Sequence, residues 1–289
     1  MIKVSKSYKV FQVFNIIILL LIVAVTLYPF LYVLATSFSS DHFVTAGKVY
    51  LLPKGFTTET YKVVMREKLF WTGYKNTVVY TVTATAFSLF MTTIFAYALS
   101  KKRLIGRKFF LGLAVFTMFF NGGLIPNYLL VKYLGMRNTI WAIVVPGAIS
   151  TWNLMIMKSF FESMPAELEE AASVDGMSTY GILIKIIIPL SMPILSTMAL
   201  FYAVGNWNNW FGPFLYLDEK KMQPVTLYLR NIIAGASSTD QGQNFEAQQQ
   251  IAATIKSCTI ILTVLPILCV YPFIQKYFVT GVMIGSVKG

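Results

Sequence analysis

Residues 11–38 read FQVFNIIILLLIVAVTLYPFLYVLATSF, with no charged side chain. About 20 mostly apolar residues suffice to cross a bilayer as a helix, because each advances about 1.5 Å through a hydrocarbon layer about 30 Å thick. Lys3, Lys6 and Lys9 precede the run and mark its start as cytoplasmic. The run is long for the apolar stretch of a secretion signal, and no clear small-x-small cleavage site follows it, so it is read as a retained span. Working outward, 73–99, 109–131, 140–161, 182–205 and 255–274 have similar character. The expected fold class is all-α: a polytopic membrane protein with six transmembrane helices and both termini cytoplasmic. Residues 1–10 form the inner N-terminus, 11–276 the membrane domain with a cytoplasmic segment at 162–178, and 277–289 a cytoplasmic tail.

Composition agrees with this reading. Of 289 residues, 56% are hydrophobic and 12% charged, against roughly 25% charged in soluble domains. Mean hydropathy is +0.64. Disorder is excluded, and an ordinary soluble enzyme is disfavoured. The net charge of +12 lies in residues flanking the apolar runs, which points to topology and anionic membrane lipid rather than nucleic acid. The densest basic stretch is Lys101, Lys102, Arg103, Arg107 and Lys108, with no acid among them. The first outer loop also holds five basic residues, Lys48, Lys54, Lys62, Arg66 and Lys68, but spread over a longer segment that includes Asp41, Glu59 and Glu67. Basic density therefore places 101–108 inside.

Two spans carry breaks. Asn121, Gly122, Gly123 and Pro126 interrupt 109–131. Either irregular backbone sits at membrane depth, covered by protein or a watery cavity, or two short helices meet near the outer surface. Pro146 and Gly147 lie inside 140–161, and Pro189 and Pro193, one turn apart, should bend 182–205. Cys258 and Cys269 share one apolar run; on a helix they would lie roughly 16 Å apart, too far to bridge.

The chain contains no phosphate-cradling G-x-x-x-x-G-K-[ST], no C-x-x-C, no H-E-x-x-H and no G-x-S-x-G. His42, the only histidine, sits in an outer loop and reads as a solvated side chain. No metal site and no enzyme are expected; a chain that moved a solute by burning ATP would borrow the ATPase. Scarce intramembrane charge argues against an ion-coupled carrier, since proton relays place ionisable groups there. A membrane scaffold is the other alternative.

The cytoplasmic segment is the most informative. From Glu162 it reads ESMPAELEEAASVDGMSTYG. Local rules predict a helix over 165–174, with Pro165 in the first turn and Glu167, Glu169 and Glu170 favouring the N-terminal half. Gly176 suits the left-handed residue that ends it, and Ser178 or Thr179 can cap a second helix. Met164, Leu168, Ala171 and Ala172 recur at helical spacing. Five carboxylates (Glu162, Glu167, Glu169, Glu170, Asp175) face only Lys158 and Lys185, an acidic balance that suits docking a basic partner. The plainer reading is a surface helix lying against the chain's own spans.

Glu170-Ala171-Ala172-Ser173-Val174-Asp175-Gly176, followed by Ile186-Ile187-Ile188-Pro189-Leu190, resembles the E-A-A loop of ABC importer permeases, in the E-A-A-x-x-D-G form of binding-protein-dependent carbohydrate permeases. The resemblance covers most of the chain. The tail from Thr280 to Gly289 is similar to that of MalG-like permeases. The stretches at 121–126, 134–139 and 207–211 are similar to the complex-oligosaccharide subgroup. Ser286 stands where many relatives have alanine.

The resemblance implies a type I ABC importer permease fold in the bacterial cell membrane. It implies a second permease as mate, two ABC ATPase subunits binding ATP and Mg, an extracellular sugar-binding protein and an oligosaccharide substrate, with no cofactor on this chain. Met164, Leu168, Glu170, Ala171, Ala172, Asp175 and Gly176 would couple to the ATPase. Gly281, Gly285 and Lys288 would dock the tail between the ATPases, unless the tail is simply a disordered terminus. Sugars present hydroxyl edges and C–H faces, so aromatic rings beside amides suit them. Trp152, Asn153, Asn206 and Trp207 offer that mixture, though an interfacial aromatic belt is the plainer reading. For Trp210, Phe211 and Phe214 the belt or a binding-protein contact is expected.

Overall fold

The computed structural model describes residues 6–237, 253–270 and 272, and among these there is no β-strand. The helices are α1 (Lys6–Ser37), α2 (Asp41–Thr45), α3 (Glu59–Arg66), α4 (Lys68–Ser100), α5 (Arg107–Phe119), α6 (Leu124–Tyr133), α7 (Trp141–Val144), α8 (Thr151–Glu162) and α9 (Ala166–Val174). Then come α10 (Thr179–Leu190) and α11 (Met192–Trp207), α12 (Phe211–Tyr216) and α13 (Val225–Ser237), and α14 (Ala253–Val270). Among the described residues, three helices are long and apolar enough to cross a membrane: Tyr8–Ser37 of α1, α4 and α14; counting each bent pair as one span raises the number to five.

The bends have local causes. α5 and α6 meet at 119°, where Gly123 takes φ +89° and Asn121 Oδ1 accepts from the Gly123 amide at 2.9 Å. The 109–131 run is therefore broken into two helices at 120–123. α10 and α11 meet at 83°. Leu183–Ile187 winds as a π-helix, and the Ser191 amide reaches both Ile187 and Ile188 carbonyls, at 2.9 and 3.0 Å. Pro189 and Pro193 lack the amides that would continue an α-ladder, and a π-turn beside them is a known source of kinks. The 140–161 run differs from the single span expected: α7 ends at Val144 and α8 begins at Thr151, because Pro146 and Gly147 disfavour helix between them. Beyond the 182–205 run the chain forms α12 and all of α13.

The chain divides into two compact units, 1–70 with 229–265, and 71–228 with 266–289. In the first, Ser39 ties the loop after α1: its hydroxyl donates to the Ala35 carbonyl at 2.6 Å and accepts from the Lys54 amide at 3.0 Å. Thr254 donates to Asp41 Oδ1 at 2.5 Å.

The second unit is organised around α4. Thr77, Thr81, Ala84, Ser88, Thr92 and Ala96 are all buried and recur at three- and four-residue spacing, so a stripe of small side chains runs down one face. In a low-dielectric setting such stripes let neighbouring helices approach closely. At its lower end Ala96, Tyr97 and Leu99 join Leu154, Met157 and Phe161 of α8, Ala172 of α9, and Ile194, Leu195 and Met198 of α11 in one core cluster. At its upper end Thr77 Oγ1 accepts from the Val225 amide at 2.8 Å, and Tyr80 donates to the Met222 carbonyl at 2.8 Å.

Candidate functional site

The segment between α8 and α10 folds as helix, glycine turn, helix. Pro165 stands at the N-cap position and Glu167 and Glu169 fall in the first turn of α9, where carboxylates favour the helix dipole. The C-terminus closes with paired bonds: Gly176 N–H to the Ser173 carbonyl at 3.1 Å and Met177 N–H to the Ala172 carbonyl at 3.0 Å. Gly176 has φ +77°. This is the Schellman arrangement, which needs a left-handed residue where a side chain is costly. Ser178 caps α10, its hydroxyl accepting from the Gly181 amide at 3.2 Å.

The expected coupling residues divide between two faces. Ala172 is buried in the core cluster and Met164 packs against it. Glu170, Ala171, Asp175 and Gly176 are exposed, and Leu168 is exposed too. Val174, which the spacing argument passed over, is 88% exposed. The apolar face read from the sequence is thus split: one edge anchors the elbow and the other is open.

Sequence reasoning also missed how the acids are used. Glu169 pairs with Lys101. Glu162 pairs with Arg107 through one oxygen and with Lys158 through the other, at 2.7 Å. Burial alone would raise the Glu162 carboxyl, but the hydrogen bonds and charges of Lys158 and Arg107 outweigh it and hold the group below the usual carboxylate range. Glu167, Glu170 and Asp175 remain exposed. A cleft of about 810 Å³ lies between the 100–103 stretch and the elbow, lined in part by Lys102, Arg103, Ala166, Glu170 and Ser173. The signal for these pairs was present, a basic loop and an acidic segment, but not their juxtaposition.

Of the four residues expected to face a sugar, three come together. Trp152, Asn153 and Asn206 line a cleft of about 750 Å³ with Ser150, Tyr202, Gly205 and Ile267, a volume within the range of small-molecule sites. Trp152 is 62% exposed and Asn153 buried. Ser150 caps α8; its amide donates to Tyr202 Oη at 3.1 Å, and that hydroxyl also bonds Thr92 Oγ1 at 2.6 Å. Asn206 Nδ2 donates to Thr85 Oγ1 at 3.3 Å. Trp207 is elsewhere: it is buried, edge-on to Tyr74 with ring centroids 5.9 Å apart. Trp210, Phe211 and Phe214 form a mutually packed aromatic patch on and beside α12 that is partly exposed. The tail residues Gly281, Gly285 and Lys288 lie outside the described residues. Among the described residues, no group of three or more His, Cys, Asp or Glu side chains is placed to hold a metal ion.

No family model matches the chain. It is 42% identical over 289 residues to protein LplC of Bacillus subtilis (strain 168), covering 99% of this chain and 97% of that one. It is 39% identical over 273 residues to the polygalacturonan/rhamnogalacturonan transport system permease protein YtcP of the same organism, covering 94% and 96%. Among solved structures, a bacterial ABC transporter involved in the import of the acidic polysaccharide alginate matches with TM-score 0.87 and 35% identity, covering 96% of this chain and 100% of that one. The helical fold, the apolar helices and these relatives agree, and the chain belongs to the membrane permeases of carbohydrate ABC importers.

Proposed function

We propose that this chain is one of two permease subunits of an ATP-driven oligosaccharide importer in the bacterial cell membrane, with six spans and both termini cytoplasmic. An extracellular binding protein delivers the sugar. A mate permease completes the path. Two ATPase subunits, which bind ATP and Mg, dock beneath and grip the 162–178 elbow. This chain itself carries no cofactor and performs no hydrolysis.

The observation that supports the reading most is the split elbow. Met164 and Ala172 root it in the chain's own core while Leu168, Glu170, Ala171, Val174 and Asp175 stay open. A helix this short is unstable alone; anchored on one edge, it offers the other as a stiff handle. ATP closes the ATPase dimer, the handle follows, and the helices tilt as rigid bodies, a two-state interface rather than chemistry in the membrane. The cleft with Trp152, Asn153 and Asn206 supplies a ring face beside amides, which suits a sugar passing through. Gly281, Gly285 and Lys288 would reach between the ATPases.

Reconstitution tests the proposal. Vesicles holding both permeases, the ATPase and the loaded binding protein should take up oligosaccharide only with ATP, and omission of any one component should stop uptake. Uptake by this chain alone, driven by an ion gradient, would contradict it.

A further inference from the structure

Resting on the reading of the elbow given above, we propose that two ion-paired links, Lys101–Glu169 and Arg107–Glu162, latch the elbow to the end of α4, and that α4 carries its movement to the sugar-facing cleft.

Both links converge on one helix end. Lys101 follows the last residue of α4; its ammonium pairs with Glu169 of α9 and lies 4.3 Å from the centroid of the Tyr97 ring. Arg107 opens α5. Its Nε donates to the Leu99 carbonyl at 2.7 Å, its Nη2 to Glu162, and the other Glu162 oxygen takes Lys158 at 2.7 Å. Leu99 is in the last turn of α4, where carbonyls lack intrahelical partners and a cation is favoured. The Tyr97 ring meets Phe161 of α8 edge-on at 6.0 Å. The end of α4 is thus held to α9 by one link and to the end of α8 by the other, which resists rotation as well as sliding. The Lys101–Glu169 pair is the more shielded, with side-chain exposure of 19% for both partners against 25% and 31% for Arg107 and Glu162. A shielded pair is screened less than an exposed one, and removing one partner of Lys101–Glu169 strands a partly buried charge.

The same helix reaches the cleft. Thr92 and Thr85 lie roughly 14 and 24 Å up α4 from Lys101 at the helical rise. They bond Tyr202 at 2.6 Å and Asn206 at 3.3 Å, both lining the cleft. One stiff element therefore touches the elbow at one end and the cleft further along. Lys101, Arg107, Glu162 and Glu169 act as positioning residues.

Contiguity alone does not show coupling, so the test reads movement. In the full complex, in vesicles, sugar moved per ATP hydrolysed should fall about threefold to tenfold in Lys101→Gln and Glu169→Gln, and Lys101→Glu with Glu169→Lys should restore it to within about twofold. A double swap as poor as the single variants, or single variants with the wild-type ratio, overturns the latch. Spin labels at Ile105→Cys and Val174→Cys, both highly exposed sites, with Cys258 and Cys269 replaced by serine, report the geometry. Their separation should stay constant between ATP-free and ATP-trapped states, and shift with nucleotide once Glu169→Gln is added. A separation that already shifts without Glu169→Gln, or that Glu169→Gln leaves constant, overturns it too. Cross-linking from Ala171→Cys to the ATPase separates the two levels: its absence refutes the reading of the elbow, while its presence with either overturning result refutes the latch alone.

Discussion

The amide of Met177 donates to the carbonyl of Ala172 at 3.0 Å, and the chain can close that bond only by turning through Gly176 at φ +77°. No atom lies within 4 Å of where a Gly176 side chain would begin. Strain there is conformational, not steric. Gly176→Val should therefore cost about 1–2 kcal/mol at the turn, leave membrane insertion intact and reduce ATP-driven uptake about tenfold or more. Gly176→Asn, which tolerates the left-handed region, should retain more uptake. Uptake assays normalised to protein in the membrane check this; wild-type uptake in the valine variant would count against the role of the turn.

Glu170 is exposed on the open edge of α9, unlike Glu169, which Lys101 engages. Reversing its charge should weaken ATPase association about tenfold while leaving the fold unchanged. Co-purification of the ATPase with Glu170→Lys, compared with wild type across salt concentrations, reads this. Equal recovery at low salt would remove Glu170 from the interface.

Trp152 projects into the cleft that Asn153, Tyr202 and Asn206 share. Loss of a stacking ring face is worth about 1 kcal/mol or more. Trp152→Ala should reduce sugar transport several-fold more than sugar-independent ATP hydrolysis, with Trp152→Phe intermediate. Parallel loss of both activities would show a structural role instead.

Glu162 gives a pH dependence with a defined sign. Its folded carboxyl lies below the ordinary range because Lys158 and Arg107 outweigh the effect of burial. The stability it contributes is complete above the unfolded value of about 4.3 and is lost as pH falls through the lower folded value. Partly exposed pairs of this kind contribute about 0.2–1 kcal/mol. The thermal midpoint of purified Glu162→Gln should therefore lie below wild type at pH 7, and the gap should narrow as pH falls below the unfolded value and through the lower folded one. A gap that persists in acid would assign the loss to packing rather than charge.

How legible all this was in the sequence depended on whether the signal was local. The elbow could be read because its parts are neighbours: Pro165 at the entrance, acids in the first turn, Gly176 at the exit and Ser178 as the next cap. The bend at Ser191 was legible from Pro189 and Pro193, though not the π-turn before it, which side-chain spacing does not encode. The break at 145–150 has a local signal in Pro146 and Gly147, but the length of the apolar run around them competes with it and suggests one span. The ion pairs were illegible. Lys101 and Glu169 are 68 positions apart, and each had a sufficient local explanation, one as a topology marker and the other as docking charge. Trp207 sits by composition with Asn206, yet one residue on a helix turns it about 100°, and it packs on Tyr74 rather than facing the cleft.

What grips the elbow decides how this permease is driven, and disulfide or bifunctional cross-linking from Leu168→Cys measures it most directly. In membranes holding the assembled complex, that cysteine should cross-link to the ATPase subunit and be blocked by an impermeant thiol reagent only from the cytoplasmic side. Labelling from the exterior, or cross-links confined to this chain's own helices in an otherwise active complex, would contradict docking of the ATPase on the elbow.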